Sequence, residues 1–207
     1  MKTLIVKYLP GKEISKTKKL YDHIVKHLNN KNVTEIDLEI TQPTFFNNES
    51  LMAYYQRNYQ GIPLNSEQEK SLKVMDDFTE KVNNADIVIL VSPMHNFGMP
   101  GIVKTWFDNI IQKGIAFDYG ATGPFGMFKG KKALTLYTSA GSYSTEKVTA
   151  NYPEWDSYTF LSKIEFSFMG FDEIEVISAS IGNAETIDEN LNNAKLKIDQ
   201  VLTKWLS

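Results

Sequence analysis

Apolar and polar positions fall into alternating blocks along this chain. Thr3-Leu4-Ile5-Val6 is a short apolar run that predicts a first strand. Beyond Ser15, the residues Leu20, Ile24 and Leu28 recur at helical spacing, so a helix follows. Val33 to Ile40 alternates apolar with polar residues, the pattern of a half-buried, edge-like strand. Ser66, with Glu69 three residues on, reads as a capping box that starts a helix running to about Asn84. Asp86-Ile87-Val88-Ile89-Leu90-Val91-Ser92 is rich in β-branched residues and reads as a strand buried on both faces. Pro100 opens a helical pattern from Gly101 to Lys113. Ala133 to Tyr137 predicts a fourth strand, Glu154 to Met169 a helix, and Ile174 to Ile177 a fifth strand. The last helix carries Leu191, Ala194, Ile198, Val201, Leu202 and Trp205 on one side.

Strands that alternate with helices give a parallel sheet covered on both faces. The expected fold class is therefore α/β, about five parallel strands in the order 2-1-3-4-5 with helices on both faces, as one domain over residues 1–207. That flavodoxin-like arrangement binds FMN at the carboxyl edge, near strands 1 and 3. Two stretches break the alternation. Residues 41 to 65 and Gly114 to Gly130 read as long loops, the second with alternating aromatics, and loops of that length are usually functional.

Composition narrows the chemistry. The chain has 207 residues, a net charge of -3 and no cysteine. A thiolate nucleophile, a disulfide and a cysteine-ligated metal are excluded. The charge gives no electrostatic reason to expect nucleic acid. No apolar run approaches the roughly 18 residues of a membrane span, and Met1-Lys2-Thr3 leads straight into a strand, so a cytoplasmic location is expected. The only histidines are His23, His27 and His95. His23 and His27 lie four apart on the first helix, a spacing that can bind zinc, but no third ligand is evident, so they read as histidines of an exposed face and no metal is expected. Neither a dinucleotide glycine motif nor a P-loop is present, and no Ser-His-Asp set can be argued.

Three loops carry the candidate chemistry. Ser15, Lys16 and Thr17 offer hydroxyls, charge and the amides of a helix start, which suit a phosphate. Pro93-Met94-His95-Asn96-Phe97 follows the central strand with Asn, His, aromatic and thioether groups and no acid pair, which suits a flat ring with polar edges. Thr138-Ser139-Ala140-Gly141 is a turn of small residues that lets backbone approach a ring closely. All three loops follow parallel strands and so share one edge of the sheet. Their convergence reads as a flavin site.

The segments Pro93 to Phe97, Lys104-Thr105-Trp106-Phe107-Asp108, Gly114 to Tyr119, Gly123-Pro124 and Gly130-Lys131-Lys132-Ala133 resemble the FMN-dependent NADH-azoreductase family, which belongs to the flavodoxin-like quinone reductases. The resemblance covers essentially the whole chain. It implies a homodimer with one FMN per subunit, and two-electron transfer from NADH or NADPH to quinones or azo compounds. It assigns Ser15, Lys16 and Thr17 to the phosphate, Met94 to Phe97 to the ring, and Thr138 to Gly141 to the adjoining turn. It also places Phe117 and Tyr119 near the substrate. The chain departs from the family at Tyr8, where a small or hydroxyl residue is common, at His95, which replaces an aromatic, and at Ala140, which replaces a glycine. No residue is assigned as a catalyst, because the cofactor carries the chemistry. Trp106 and Phe107 read as packing residues, or as interface residues if their helix meets its twin. The rival reading is a flavin electron carrier without small-molecule turnover.

Overall fold

The computed structural model describes residues 1–29, 32–143 and 155–207. The strands are β1 (Thr3–Lys7), β2 (Val33–Asp37), β3 (Ile87–Pro93), β4 (Phe117–Gly120), β5 (Gly123–Gly126), β6 (Lys132–Ser139) and β7 (Glu173–Ser180). The helices are α1 (Lys16–Leu28), α2 (Asn48–Asn58), α3 (Ser66–Asn83), α4 (Gly101–Ile110), α5 (Ser157–Met169) and α6 (Ile187–Leu206). Five strands form one parallel sheet in the order β2-β1-β3-β6-β7. Counted within that sheet alone, this is the expected order. The labels shift because β4 and β5 form a separate antiparallel hairpin.

Strand alternation divides the core into two layers. Ile5, Ile87, Ile89, Val91, Leu134 and Leu136 face α1 and α6, where they meet Leu20, Ile24, Ile198 and Leu202. Leu4, Val6, Val88, Leu90 and Ala133 face the other way, onto Phe78, Val103, Trp106, Phe107 and Phe166 of α3, α4 and α5. A strand buried on both faces needs this composition. Among the described residues, no helix is long and apolar enough to cross a membrane.

Several elements differ from the sequence reading. Residues 41 to 65 are not one loop, because α2 lies within them. Asn47 caps it and exchanges hydrogen bonds with Ser50. Its apolar stripe is absent, since Leu51, Met52 and Tyr55 are exposed and only Ala53 and Ser50 are buried, so periodicity could not reveal it. The cap of α3 is Asn65 with Gln68, one residue before the expected Ser66–Glu69 pair. The second strand ends at Asp37, and α4 ends at Ile110 rather than Lys113. Glu154, the expected start of the fifth strand's preceding helix, lies outside the described residues, and α5 begins at Ser157. The stretch Gly114 to Gly130 contains the β4–β5 hairpin. Trp106 and Phe107 are completely buried, so they are packing residues and not interface residues.

The hairpin is seated by a backbone-to-backbone approach. A Cβ on Gly126 would stand 2.2 Å from the amide nitrogen of Gly170, which ends α5 at φ +92°. Only glycine fits there. Gly126→Ala is therefore expected to destabilise the protein by at least about 2 kcal/mol in urea unfolding. Gly101→Ala, whose new methyl would meet nothing within 4 Å at the start of α4, is expected to be neutral or slightly stabilising.

Candidate functional site

β1, β3 and β6 are neighbours and parallel, so the loops that follow them lie side by side at the carboxyl edge of the sheet. The first loop ends in a single 3-10 turn, Lys12–Ile14, and then enters α1 at Ser15. Ser15 caps the helix, its hydroxyl accepting from the Lys18 N–H at 3.2 Å. Among the described residues no acceptor takes the backbone N–H of Lys16 or of Thr17. These donors stand at the positive end of the α1 dipole, where an anion is favoured. A hollow of about 280 Å³ lies over the same turn, lined by Ser15, Lys16, Lys18 and Lys19 together with Glu13 and Asp22. Lys18 is spent on Asp22 and Glu13, whereas Lys16 has no ion pair among the described residues.

Thr17 is buried and turned toward the sheet. Its hydroxyl shares a 2.6 Å hydrogen bond with that of Thr138, at the end of β6. Two hydroxyls hold two protons and this bond uses one, so the pair can still donate once more.

The second loop is a tight two-residue turn. His95 and Gly98 exchange backbone hydrogen bonds of 3.0 Å, and the residues between them, Asn96 and Phe97, have φ of +46° and +70°. Turns with both central residues at positive φ favour Asn first and Gly second. Phe97 in the second place is strained. The loop is tied to its neighbours on both sides. The Met94 N–H donates to the Thr138 carbonyl at 2.8 Å, and the His95 ring meets the Tyr8 ring edge-on at 6.0 Å. His95, Asn96 and Phe97 are exposed, and Pro93 and Met94 are half-buried.

In the third loop Thr138 and Ser139 are buried, Ala140 is exposed and Gly141 is half-buried. The Ser139 hydroxyl donates to the Gly141 carbonyl at 2.7 Å and tightens the turn. A cavity of about 740 Å³ opens beside it, between Ser139 to Tyr143 and the start of α6.

The structure thus brings Ser15, Lys16 and Thr17, Pro93 to Phe97, and Thr138 to Gly141 to one edge. It does not bring Phe117 and Tyr119 there. Both belong to β4, which follows α4 at the opposite end of the sheet. Phe117 is buried against Phe168 of α5, at 4.8 Å between ring centres, and Tyr119 is exposed. The histidines of α1 do not face solvent alone. His23 Nε2 and His27 Nδ1 lie 2.8 and 2.9 Å from the same oxygen of Asp199, which ties α1 to α6. Among the described residues no group of three or more His, Asp or Glu is arranged to hold a metal ion.

Sequence reasoning missed the first turn of α5. Tyr158 shares a 2.5 Å hydrogen bond with Ser92, and the Tyr137 hydroxyl donates to Asp156 at 2.8 Å. The two tyrosine rings stack at 4.6 Å. Burial pushes both phenols well above their ordinary value, so both remain protonated donors. The one signal in the sequence was Asp156, a capping residue with Thr159 three positions on.

An open parallel sheet in this order, with three linked loops at its carboxyl edge, defines a flavodoxin-type α/β protein. The model of the flavodoxin-like fold matches residues 1–202. An FMN-dependent NADH:quinone oxidoreductase of Haemophilus influenzae (strain PittEE) is 29% identical over 191 residues, 91% of each chain. A protein of the same description from Azospirillum brasilense is 30% identical over 183 residues, 86% of each. Among solved structures, an FMN-dependent NADH-azoreductase from Bacillus anthracis str. Ames Ancestor, in complex with FMN, superposes with a TM-score of 0.85 over the whole of both chains at 24% identity. The chain belongs to the flavodoxin-like family, and within it to the FMN-dependent NADH:quinone oxidoreductases.

The Thr17–Thr138 bond is buried, so removing one partner strands the other. Thr17→Val is expected to lower stability by about 1–3 kcal/mol in urea unfolding. An unchanged midpoint would show that Thr138 finds another partner.

Proposed function

We propose that this chain is an FMN-dependent oxidoreductase that moves two electrons from NADH or NADPH to a quinone or azo compound, and that it works in the cytoplasm. The observation that carries the reading is the edge itself. Two amides at the start of α1 that have no acceptor among the described residues lie on the same face as a polar, ring-sized loop and a turn of small residues. The donor set fits a terminal phosphate joined to a flat ring. Relatives of nearly equal length are FMN-dependent NADH:quinone oxidoreductases.

Bound there, FMN supplies the two-electron chemistry that the side chains lack. The chain's own residues hold and orient it. The Lys16 and Thr17 amides, the Ser15 hydroxyl and the Lys16 ammonium take the phosphate. Asn96, which can donate and accept, and the backbone from Pro93 to Phe97 take the polar edge of the ring. His95 adjusts the surroundings of the ring, and Thr138 to Gly141 let it lie close to backbone. Side chains then exclude water from the exposed face.

That last task involves a second copy of the chain. Phe160, Ile164 and Phe168 are exposed along one stripe of α5, and Phe125 of the hairpin and Met127 just after it are exposed as well. An apolar stripe of that kind marks an interface. In a two-fold dimer the aromatic hairpin, with Tyr119 at its surface, can reach the carboxyl edge of the other subunit, which it cannot reach in its own. One enclosed site then admits nicotinamide and acceptor in turn.

Two outcomes are expected. Replacing Ser15 with Ala removes a hydroxyl donor to a charged group, worth roughly 1.5–3 kcal/mol, so FMN affinity in a fluorescence titration falls at least tenfold. Initial rates with NADH and a quinone varied together give parallel double-reciprocal lines, and the protein sediments as a dimer that Ile164→Glu splits with loss of activity. Intersecting lines would refute alternating use of one site, and a fully active monomer would refute the shared wall.

A further inference from the structure

Asp156, the cap of α5, and the first three residues of the helix each bond to a residue at the carboxyl end of β3 or β6 or in the loop that follows β3. Asp156 accepts from the Tyr137 hydroxyl at 2.8 Å, and Thr159 shares a hydrogen bond with the same hydroxyl at 3.1 Å. Tyr158 pairs with Ser92, the residue before Pro93, at 2.5 Å. Ser157 grips the ring loop itself. Its hydroxyl donates to the Phe97 carbonyl at 2.6 Å, and its backbone N–H donates to the same oxygen at 3.2 Å.

Phe97 is the strained residue of that turn, at φ +70°. A conformation of this kind is unfavourable and persists only where neighbours hold it. The Phe97 ring also packs edge-on against Trp155, just before Asp156, at 4.9 Å. The contact is close on the far side too, because a Cβ on Gly98 would stand 3.0 Å from the Ser157 hydroxyl. Nothing in the helix requires Ser157 there. Asp156 already caps α5 by accepting from the Thr159 N–H.

We infer that Ser157 is a positioning residue of the flavin site: it holds the His95–Gly98 turn in its strained shape, so that the amides and the Asn96 side chain are aligned before FMN arrives. The inference rests on the reading that this turn takes the flavin ring. A site organised in advance loses less on binding than one ordered by the ligand. In this role Ser157 acts through the Phe97 carbonyl.

The test compares three variants of the full chain, each titrated with FMN and examined by visible circular dichroism of the bound flavin. Ser157→Ala removes one hydrogen bond and is expected to weaken FMN about five- to tenfold and to change the dichroism, while the apoprotein unfolds at nearly the parental urea concentration. Ser157→Thr keeps a hydroxyl and is expected to restore both. Asn96→Gly keeps the turn but deletes the amide that meets the ring. If Asn96→Gly weakens FMN and Ser157→Ala changes neither affinity nor dichroism, the positioning role is overturned and the ring site stands. If neither variant alters FMN binding, the ring site is overturned and the role with it. A Ser157→Ala apoprotein destabilised as much as its affinity is reduced would make Ser157 an ordinary structural residue, which also overturns the proposal.

Discussion

Thr138 is the joint on which the carboxyl edge depends. Its carbonyl takes the N–H of Met94 and its hydroxyl bonds to that of Thr17, so one buried residue at the end of β6 fixes the ring loop and the start of α1. Thr138 is buried, and a hydrogen bond left unmade there is costly. The strand that presents Thr138 is itself immobilised, because Ala133, Leu134, Leu136 and Tyr137 are buried between two layers of helices. Rigidity in the sheet therefore becomes precision in the loops. A ligand that spans all three loops finds them already spaced.

The same logic explains the first turn of α5. A tight turn with Phe97 at positive φ is unfavourable by itself, and the bonds from Ser157 and the packing of Trp155 offset that cost. The strain sits at the proposed binding edge and nowhere in the core of the sheet. Protonated, stacked Tyr137 and Tyr158 anchor the turn from below.

Most of the fold was legible in the sequence because it rests on hydrophobic pattern. Ile87 to Val91 could only be a central strand, and Leu191 to Trp205 could only be an amphipathic helix. What escaped notice lacked such a pattern. α2 buries almost nothing apolar, the hairpin depends on a glycine contact between Gly126 and Gly170, and the Asp156–Thr159 turn acts through hydrogen bonds that connect residues far apart in the chain. The candidate site divides in the same way. Ser15 to Thr17, Pro93 to Phe97 and Thr138 to Gly141 were legible because each follows a recognisable strand, and topology alone collects them. Phe117 and Tyr119 came from resemblance only. They lie at the opposite end of the sheet from the three loops, a separation that the periodicity of the sequence does not express.

The cofactor is the point on which every functional statement turns. Purified protein supplied with flavins, washed, and then heated or acidified should release FMN in about one equivalent per chain, identified by chromatography. Release of FAD instead, or failure to retain any flavin after FMN is added, would contradict a site built from the α1 amides and the Met94 to Phe97 turn.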